Sequence, residues 1–218
     1  MTVIFAAKYS GGVVVGADSR AHDHVTGHAS ANRMKLHQLN DRVFAAKAGY
    51  GPDADAIWQQ FYELPDHEKL SVDAAGYQIR KMGAQTYVKC NARAKELGVI
   101  DPGLFILVAG LDSGLSPKII YLNFKLGEYL DSLTCTAFGP IDTHGAANRI
   151  LHEECVAGNG TIAMDHWAKR LTTECQVVAP HAIGYPLEMA FIEASGFERV
   201  TISSLSDPSV PCARKPCL

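Results

Sequence analysis

The sequence predicts an α+β fold: a four-layer αββα sandwich, with two antiparallel sheets stacked face to face and a helix pair covering each. Three observations predict it. Strand-like and helix-like stretches come in separate blocks, in the order β-rich, two helices, β-rich, two helices, β. Such segregation argues for stacked layers and against alternating βαβ units. The 218 residues, 47% hydrophobic and 20% charged, suit one large globular domain. A chain of that length buries roughly 70% of its unfolded surface, so it needs no disulfide or metal staple. The expected division is a single domain over residues 1–205 and a loose Pro- and Ser-rich tail over residues 206–218.

The first block opens with Thr2–Tyr9, apolar and rich in β-formers. Ser10-Gly11-Gly12 is a hairpin turn, and Val13–Asp18 returns as a second strand. Ser19–His28 is polar and loop-like. A short apolar segment follows at Met34–Leu39, then a strand at Arg42–Lys47 stopped by Gly49-Tyr50-Gly51-Pro52. Ile57, Phe61 and Leu64 recur at helical spacing, which places a helix over Ala54–Glu63 that Pro65 breaks. Ser71 opens a second helix running to Glu96, with Ala75, Ile79, Met82, Thr86 and Cys90 as its stripe and Gly98 past its end. Four strands follow at Leu104–Leu111, Lys118–Phe124, Glu128–Leu130 and Leu133–Phe138. Helices are expected from Thr143 to near Gly158 and from Thr161 to about Val177. The last strand pair, Pro186–Glu193 and Phe197–Ser203, joins through Ala194-Ser195-Gly196.

Composition narrows the function classes. The net charge is −3 with no basic block, so nucleic-acid binding has no electrostatic support. No apolar run nears the ~18 residues that a membrane span needs. Met1–Phe5 has neither the basic flank nor the cleavage site of a signal peptide. The cytoplasm is therefore the expected location, with neither membrane nor nucleic acid as a partner. Cys90, Cys135, Cys155 and Cys175 scatter without CxxC spacing and read as reduced thiols. Cys212 and Cys217 fall in the tail, and Cys217 is too close to the end for a prenylation box. His22-Asp23-His24 with His28 lacks a fourth spaced ligand and reads as a polar loop near a substrate cleft. His144, His152 and His166 fall on predicted helices and suit solvated faces or interfaces. Gly49-Tyr50-Gly51 precedes a helix without the Walker lysine, so no nucleotide site is expected. Neither a metal nor a cofactor is expected. Trp58 and Trp167 read as core or interface anchors.

The residue that carries chemistry is Thr2. Removal of Met1 leaves a threonine whose hydroxyl and free α-amine share one residue. A free α-amine titrates at about pH 7.7–8.0, so it is available as a base near neutrality. A hydroxyl is a weak nucleophile without such a base. One residue then supplies both groups.

The surroundings of Thr2 carry a family resemblance. Thr2-Val-Ile-Phe-Ala-Ala-Lys-Tyr-Ser-Gly-Gly-Val-Val-Val-Gly-Ala-Asp-Ser-Arg20 resembles the amino terminus of mature proteasome β subunits and of the bacterial HslV peptidase, which are N-terminal-nucleophile (Ntn) hydrolases. Ala31-Asn-Arg-Met-Lys35 resembles the stretch with the family's lysine, and Val43–Gly49 the strand that leads to its oxyanion glycine. Met189–Arg199 resembles the closing hairpin. The likeness is strong over the first fifty residues and weak in the middle. Asp18-Ser-Arg20 and the closing hairpin look proteasome-like, and Asn32-Arg-Met-Lys35 looks HslV-like, which suggests a diverged bacterial proteasome homologue.

The resemblance implies an Ntn-hydrolase sandwich and a set of roles. Thr2 matches the nucleophile, and Asp18 and Lys35 the buried acid and base beside it. A cationic Lys35 would favour loss of the hydroxyl proton and hold down the α-amine pKa, while Asp18 orients it. Arg20 is expected to brace Asp18 or the neighbouring loop. Gly49 would offer its N–H to the oxyanion. Lys47 matches the floor of the primary specificity pocket, where it would favour an acidic residue on the amino side of the scissile bond. Two departures stand out. Gly139-Pro-Ile-Asp-Thr143 puts Ile141 where the family has a serine that supports the amine, leaving Asp142 or Thr143 as substitutes. Pro180-His-Ala-Ile-Gly184 lacks the family's aspartate and serine, with His181 its one polar side chain.

The implied activity is a threonine-type endopeptidase inside a self-compartmentalised ring. Self-association into stacked rings, a double ring of one kind of subunit, is implied, with peptide or unfolded protein as substrate and an unidentified ATPase unfoldase as a partner. Methionine aminopeptidase, which tolerates a small second residue, would suffice for activation. The alternatives are a catalytically weak or silent structural ring subunit, favoured by Ile141 and the 180–183 turn, and a small-amide Ntn acylase.

Overall fold

The computed structural model describes residues 2–22, 29–30, 33–49, 54–99, 102–207 and 213–214, with the backbone alone at 21–22, 29–30 and 213–214. In chain order the strands are β1 (Ile4–Tyr9), β2 (Gly12–Asp18), β3 (Ala21–His22), β4 (Ala29–Ser30), β5 (Leu36–Asn40) and β6 (Val43–Gly49). Helices α1 (Ala56–Tyr62) and α2 (Val72–Glu96) follow, separated by one 3-10 turn at His67–Lys69. Next come β7 (Leu104–Leu111), β8 (Pro117–Asn123), β9 (Glu128–Leu130) and β10 (Cys135–Phe138). The chain continues through α3 (Thr143–Ala157), β11 (Ile162–Ala163), α4 (Met164–Val178), β12 (Leu187–Glu193), β13 (Gly196–Ile202) and β14 (Ala213–Arg214).

Two antiparallel five-stranded sheets result, in the orders β10-β1-β2-β12-β13 and β5-β6-β7-β8-β9. Side-chain alternation shows how they stack. In β1, Phe5, Ala7 and Tyr9 face α3 and α4, while Ile4 and Ala6 face the other sheet. In β7, Leu104, Ile106 and Val108 face α1 and α2, while Leu107, Ala109 and Leu111 face inward. Both faces of the central strands of each sheet are therefore buried, and the predicted αββα layering is observed. That double burial explains why the strands read as nearly continuous apolar runs. Phe105 and Phe138 stack across the sheets with ring centroids 3.6 Å apart. Trp167 of α4 meets Phe5 edge-on at 5.4 Å, and its indole N–H donates to the Ala147 carbonyl of α3 at 3.0 Å. Trp58 is likewise a core residue, packed with α1, α2 and their sheet.

Local signals placed most elements. Tyr9 pairs with Gly12 across a two-residue turn, as Ser10-Gly11-Gly12 predicts. Ser71 caps α2, its hydroxyl accepting from the Ala74 N–H at 3.5 Å. Gly76 and Gly83, seven residues apart on α2, leave room for β8 and its following turn. A Cβ at either would lie 2.5 Å from Ile120 or 2.2 Å from the Phe124 ring. Cys135, Cys155 and Cys175 are buried free thiols, and Cys90 is buried. No helix among the described residues is long and apolar enough to cross a membrane.

Two expectations are corrected. Residues from Thr161 do not enter the fourth helix directly, because Ile162–Ala163 first forms β11 and α4 starts at Met164. The tail is not loose throughout, because Ala213–Arg214 pairs antiparallel with β11. Composition is blind to that return, since a backbone ladder needs no particular side chain.

One buried charge is poorly supported. Asp165 at the start of α4 is fully buried, and among the described residues neither carboxylate oxygen has a hydrogen-bond partner. Among the described residues the cation paired with it is Lys169, whose Nζ lies 3.8 Å away and donates to the Asp207 carbonyl at 2.8 Å. Removing one member of a buried pair strands the other charge. Lys169→Met is therefore expected to cost about 3–5 kcal/mol. Urea unfolding checks this, and Lys169→Met with Asp165→Asn should recover most of the loss.

Candidate active site

Strand β2 ends at Asp18, which is fully buried. The strand register brings Val3 opposite it: the Asp18 N–H donates to the Val3 carbonyl at 3.1 Å, and the Val3 N–H donates to Asp18 Oδ1 at 2.9 Å. Thr2 therefore lies one residue beyond this contact, where β1 starts, and is 9% exposed. Lys35, just before β5, donates through Nζ to the same Oδ1 at 2.9 Å and also to the Arg20 carbonyl. Gly184 donates its N–H to Asp18 Oδ2 at 3.3 Å. Asp18 thus ties together the first strand, the lysine segment and the turn before β12.

The pair is held in a desolvated place. Burial pushes the Asp18 carboxyl up, against the pull of Lys35 and of the Val3 and Gly184 N–H groups. Burial pulls the Lys35 ammonium down, Asp18 opposes this, and Arg33 and Lys47 add to the lowering. Both groups are moved toward their neutral forms, so a proton can leave Lys35 more easily than from a solvated lysine.

The other expected site residues divide. Gly49 ends β6 with φ +104°, and a Cβ there would sit 2.0 Å from the Gly103 carbonyl oxygen, so only glycine fits. The Lys47 N–H donates to the Lys35 carbonyl at 3.0 Å, which joins the Gly49 strand to the lysine segment. Arg20 braces the neighbouring turn: its guanidinium donates to the Pro180 carbonyl at 3.0 Å and lies over Gly184. Asp142 and Thr143 serve the start of α3. Asp142 accepts from the Gly145 N–H at 3.1 Å, and the Thr143 hydroxyl donates to the Ile141 carbonyl at 2.9 Å. Among the described residues neither bonds Thr2. Ile141 packs on the core between the first sheet and α3–α4, and Ile183 is buried in it. The two altered turns are thus anchored by apolar burial. Cys175 lies beneath Gly139, beside Thr143, and burial pushes its thiol up to about 12. His181 is exposed.

Met1, the side chain of His22, residues Asp23, His24 and His28, and Cys212 and Cys217 lie outside the described residues. Among the described residues no group of three or more His, Cys, Asp or Glu side chains could hold a metal ion. His144 meets the Thr136 hydroxyl at 3.0 Å, and His166 meets Glu154 at 2.7 Å on the exposed helix face.

The family model described as "Proteasome subunit" matches residues 2–153, more than half of the chain. The chain belongs to the proteasome subunit family. Its sequence is 37% identical to proteasome subunit beta type-9 of Mus platythrix over 86 residues, 38% of this chain and 32% of that protein. It is 34% identical to the Homo sapiens beta type-9 subunit over 86 residues, 38% of this chain and 32% of that protein. It is 33% identical to proteasome subunit beta type-6 of Dictyostelium discoideum over 88 residues, 36% of this chain and 40% of that protein. The chain thus spans a third to two fifths of the length of these curated relatives. The two five-stranded antiparallel sheets and four helices fit the proteasome Ntn fold.

Within this proteasome-type subunit, Lys47 stands on the helix-facing side of β6 with Val43 and Ala45, which puts it beside α1. It is buried, and its ammonium pairs with Asp55 at the start of α1. The sequence reading treats that charge as available; the structure commits it to Asp55. Burial pulls the Lys47 ammonium down, and Asp55 opposes that. His37 on β5 and Trp58 on α1 are further neighbours that sequence reasoning missed. Their rings stack at 4.4 Å, and among the described residues His37 Nε2 and Trp58 Nε1 have no hydrogen-bond partner. His37 follows Lys35 by two positions, so strand alternation was the available signal.

His37 makes an acid-sensitivity prediction. Burial, with Lys47 adding, lowers its pKa from 6.5 to about 4. The folded pKa lies below the unfolded one, so the unfolded chain binds the extra proton. The stability His37 contributes is complete above pH 6.5 and is lost as pH falls from 6.5 to about 4. The full difference is about 3 kcal/mol. His37→Phe is expected to flatten this part of the stability profile, read from urea midpoints at steps between neutral and acid pH.

Proposed function

We propose that this chain is a threonine-type endopeptidase subunit that hydrolyses peptide bonds with Thr2 after removal of Met1. The observation that supports it best is the buried Asp18–Lys35 pair, anchored to the Val3 N–H one residue from the nucleophile. In the reaction Thr2 Oγ attacks the scissile carbonyl carbon. Its proton passes to the α-amine, with Lys35 lowering the cost of the developing alkoxide. Gly49 offers its N–H to the oxyanion. Collapse breaks the C–N bond and returns the proton to the leaving amine, giving an ester on Thr2. Water activated by the same amine then hydrolyses the ester. Asp18 holds Lys35 in place, Arg20 braces the adjoining turn, and Asp142 and Thr143 fix the start of α3.

Family membership supports assembly into rings, and we propose a double ring of one kind of subunit. Its substrates are peptides or unfolded protein, delivered by an ATPase unfoldase in the cytoplasm, with residues 1–205 as the single domain. A second reading, a catalytically weak or silent structural subunit, is favoured by Ile141 and Ile183, which place apolar groups at two turns beside the site. Intact mass and covalent labelling separate them. Loss of one methionine, followed by a single adduct from a peptide electrophile located on Thr2, supports the peptidase. A free Thr2 that takes no adduct and turns over no peptide supports the silent subunit.

A further inference from the structure

The side chains around Lys47 form a charge array that the expected specificity does not take into account. Lys47 is enclosed, with 6% of its side chain exposed, and its ammonium is bound by Asp55, whose side chain is 47% exposed. Asp55 occupies the N-cap position of α1 but makes no capping hydrogen bond. Its carboxylate instead turns to Lys47 and, through the other oxygen, to Arg33 at 3.7 Å. His37 closes the neighbouring side as a neutral ring, so it adds no charge to the array. Two cations share one carboxylate at the rim. A second carboxylate arriving at Lys47 must either displace Asp55 or sit beside it against like-charge repulsion.

We infer that Asp55 is a specificity-determining residue that competes with an acidic substrate side chain for Lys47 and so suppresses cleavage after Asp and Glu. The inference rests on the peptidase reading of the site. A free lysine would reward an acidic residue on the amino side of the scissile bond. A lysine already held by Asp55 rewards it little, because one ion pair is exchanged for another of similar kind. The subsite as built takes apolar and acidic side chains about equally. Arg33 supplies the remaining positive charge at the rim, so acidic side chains are tolerated.

The test compares two matched peptide series, with Glu or Leu before the scissile bond, on wild type, Asp55→Asn and Asp55→Glu. The expected Glu-to-Leu ratio of kcat/KM is within roughly threefold of unity for wild type. It rises about tenfold in Asp55→Asn and returns toward wild type in Asp55→Glu. Asparagine keeps the size and the N-cap chemistry, and melting curves check that the variant is folded. An unchanged ratio in Asp55→Asn overturns the inference, and so does a strong preference for Glu in wild type. Absence of all turnover in wild type counts against the peptidase reading alone. Calorimetric binding of peptide acids ending in Glu or Leu then reads the same competition. The same rise in Glu preference in Asp55→Asn supports the inference, and equal ratios or no binding overturn it.

Discussion

Thr2→Ala is expected to lower peptide turnover by about 10⁴-fold or more while leaving the melting temperature nearly unchanged. In the proposed reaction the hydroxyl forms the new bond, and alanine keeps the α-amine that would serve as its base. Removing a nucleophile that acts as a unit with its base costs most of the chemical rate enhancement. Among the described residues the contact that anchors the start of β1 to Asp18 is made by the Val3 N–H and not by the Thr2 side chain. Thr2→Ser keeps the hydroxyl and is expected to retain activity within about tenfold. Fluorogenic peptide turnover beside melting curves measures both effects. Equal turnover in Thr2→Ala and wild type would sink the assignment.

Lys35→Met is expected to damage both folding and activity, for separable reasons. Asp18 is fully buried, and among the described residues Lys35 is the cation paired with it, at 2.9 Å with 6% of the lysine side chain exposed. Methionine preserves the stem but leaves Asp18 uncompensated, at a cost of about 3–5 kcal/mol. Turnover should fall by about 10³-fold as well, because no cation remains to favour the alkoxide. The double variant Lys35→Met with Asp18→Asn separates the effects. It should recover most of the stability, as two neutral groups replace a buried pair, and none of the turnover. Urea midpoints and kcat/KM for the three proteins decide this. Recovered turnover in the double variant would remove Lys35 from the chemistry.

The strands and helices were legible because their signals are local. The Ser10-Gly11-Gly12 turn, the Ser71 cap and the stripe of α2 depend on residues a few positions apart. The layer order was legible from the segregation of strand and helix blocks. Asp18 and Lys35 were legible through their family-like contexts, and the structure brings them within hydrogen-bonding distance. The neighbours of Lys47 were not. Asp55 is eight residues further on, on another element, and its role depends on which face of β6 the lysine occupies. The alternation of Val43, Ala45 and Lys47 held that information, but only against a known helix position.

Asp142 and Thr143 show the opposite difficulty. Their position in sequence suggested help for the Thr2 amine, but their side chains satisfy the backbone where α3 begins. A polar residue before a helix has a local partner at once, and that short-range bond costs little entropy. Ile141 and Ile183 looked like losses from a polar shell. In the structure they are gains for the core, because both turns run over the layer between the first sheet and α3–α4.

By itself the sequence determined the blocks of strand and helix and the layered class. These follow from local periodicity, turn chemistry and residue type, which act over a few positions. Only the tertiary structure decided which charges meet: Asp18 with Lys35 and the Gly184 N–H, Asp55 with Lys47 and Arg33, and, among the described residues, Asp165 with Lys169. Pairing of buried charges is set by strand register and by the stacking of layers. In a desolvated interior those few ångströms decide whether a charge is balanced, shared or stranded.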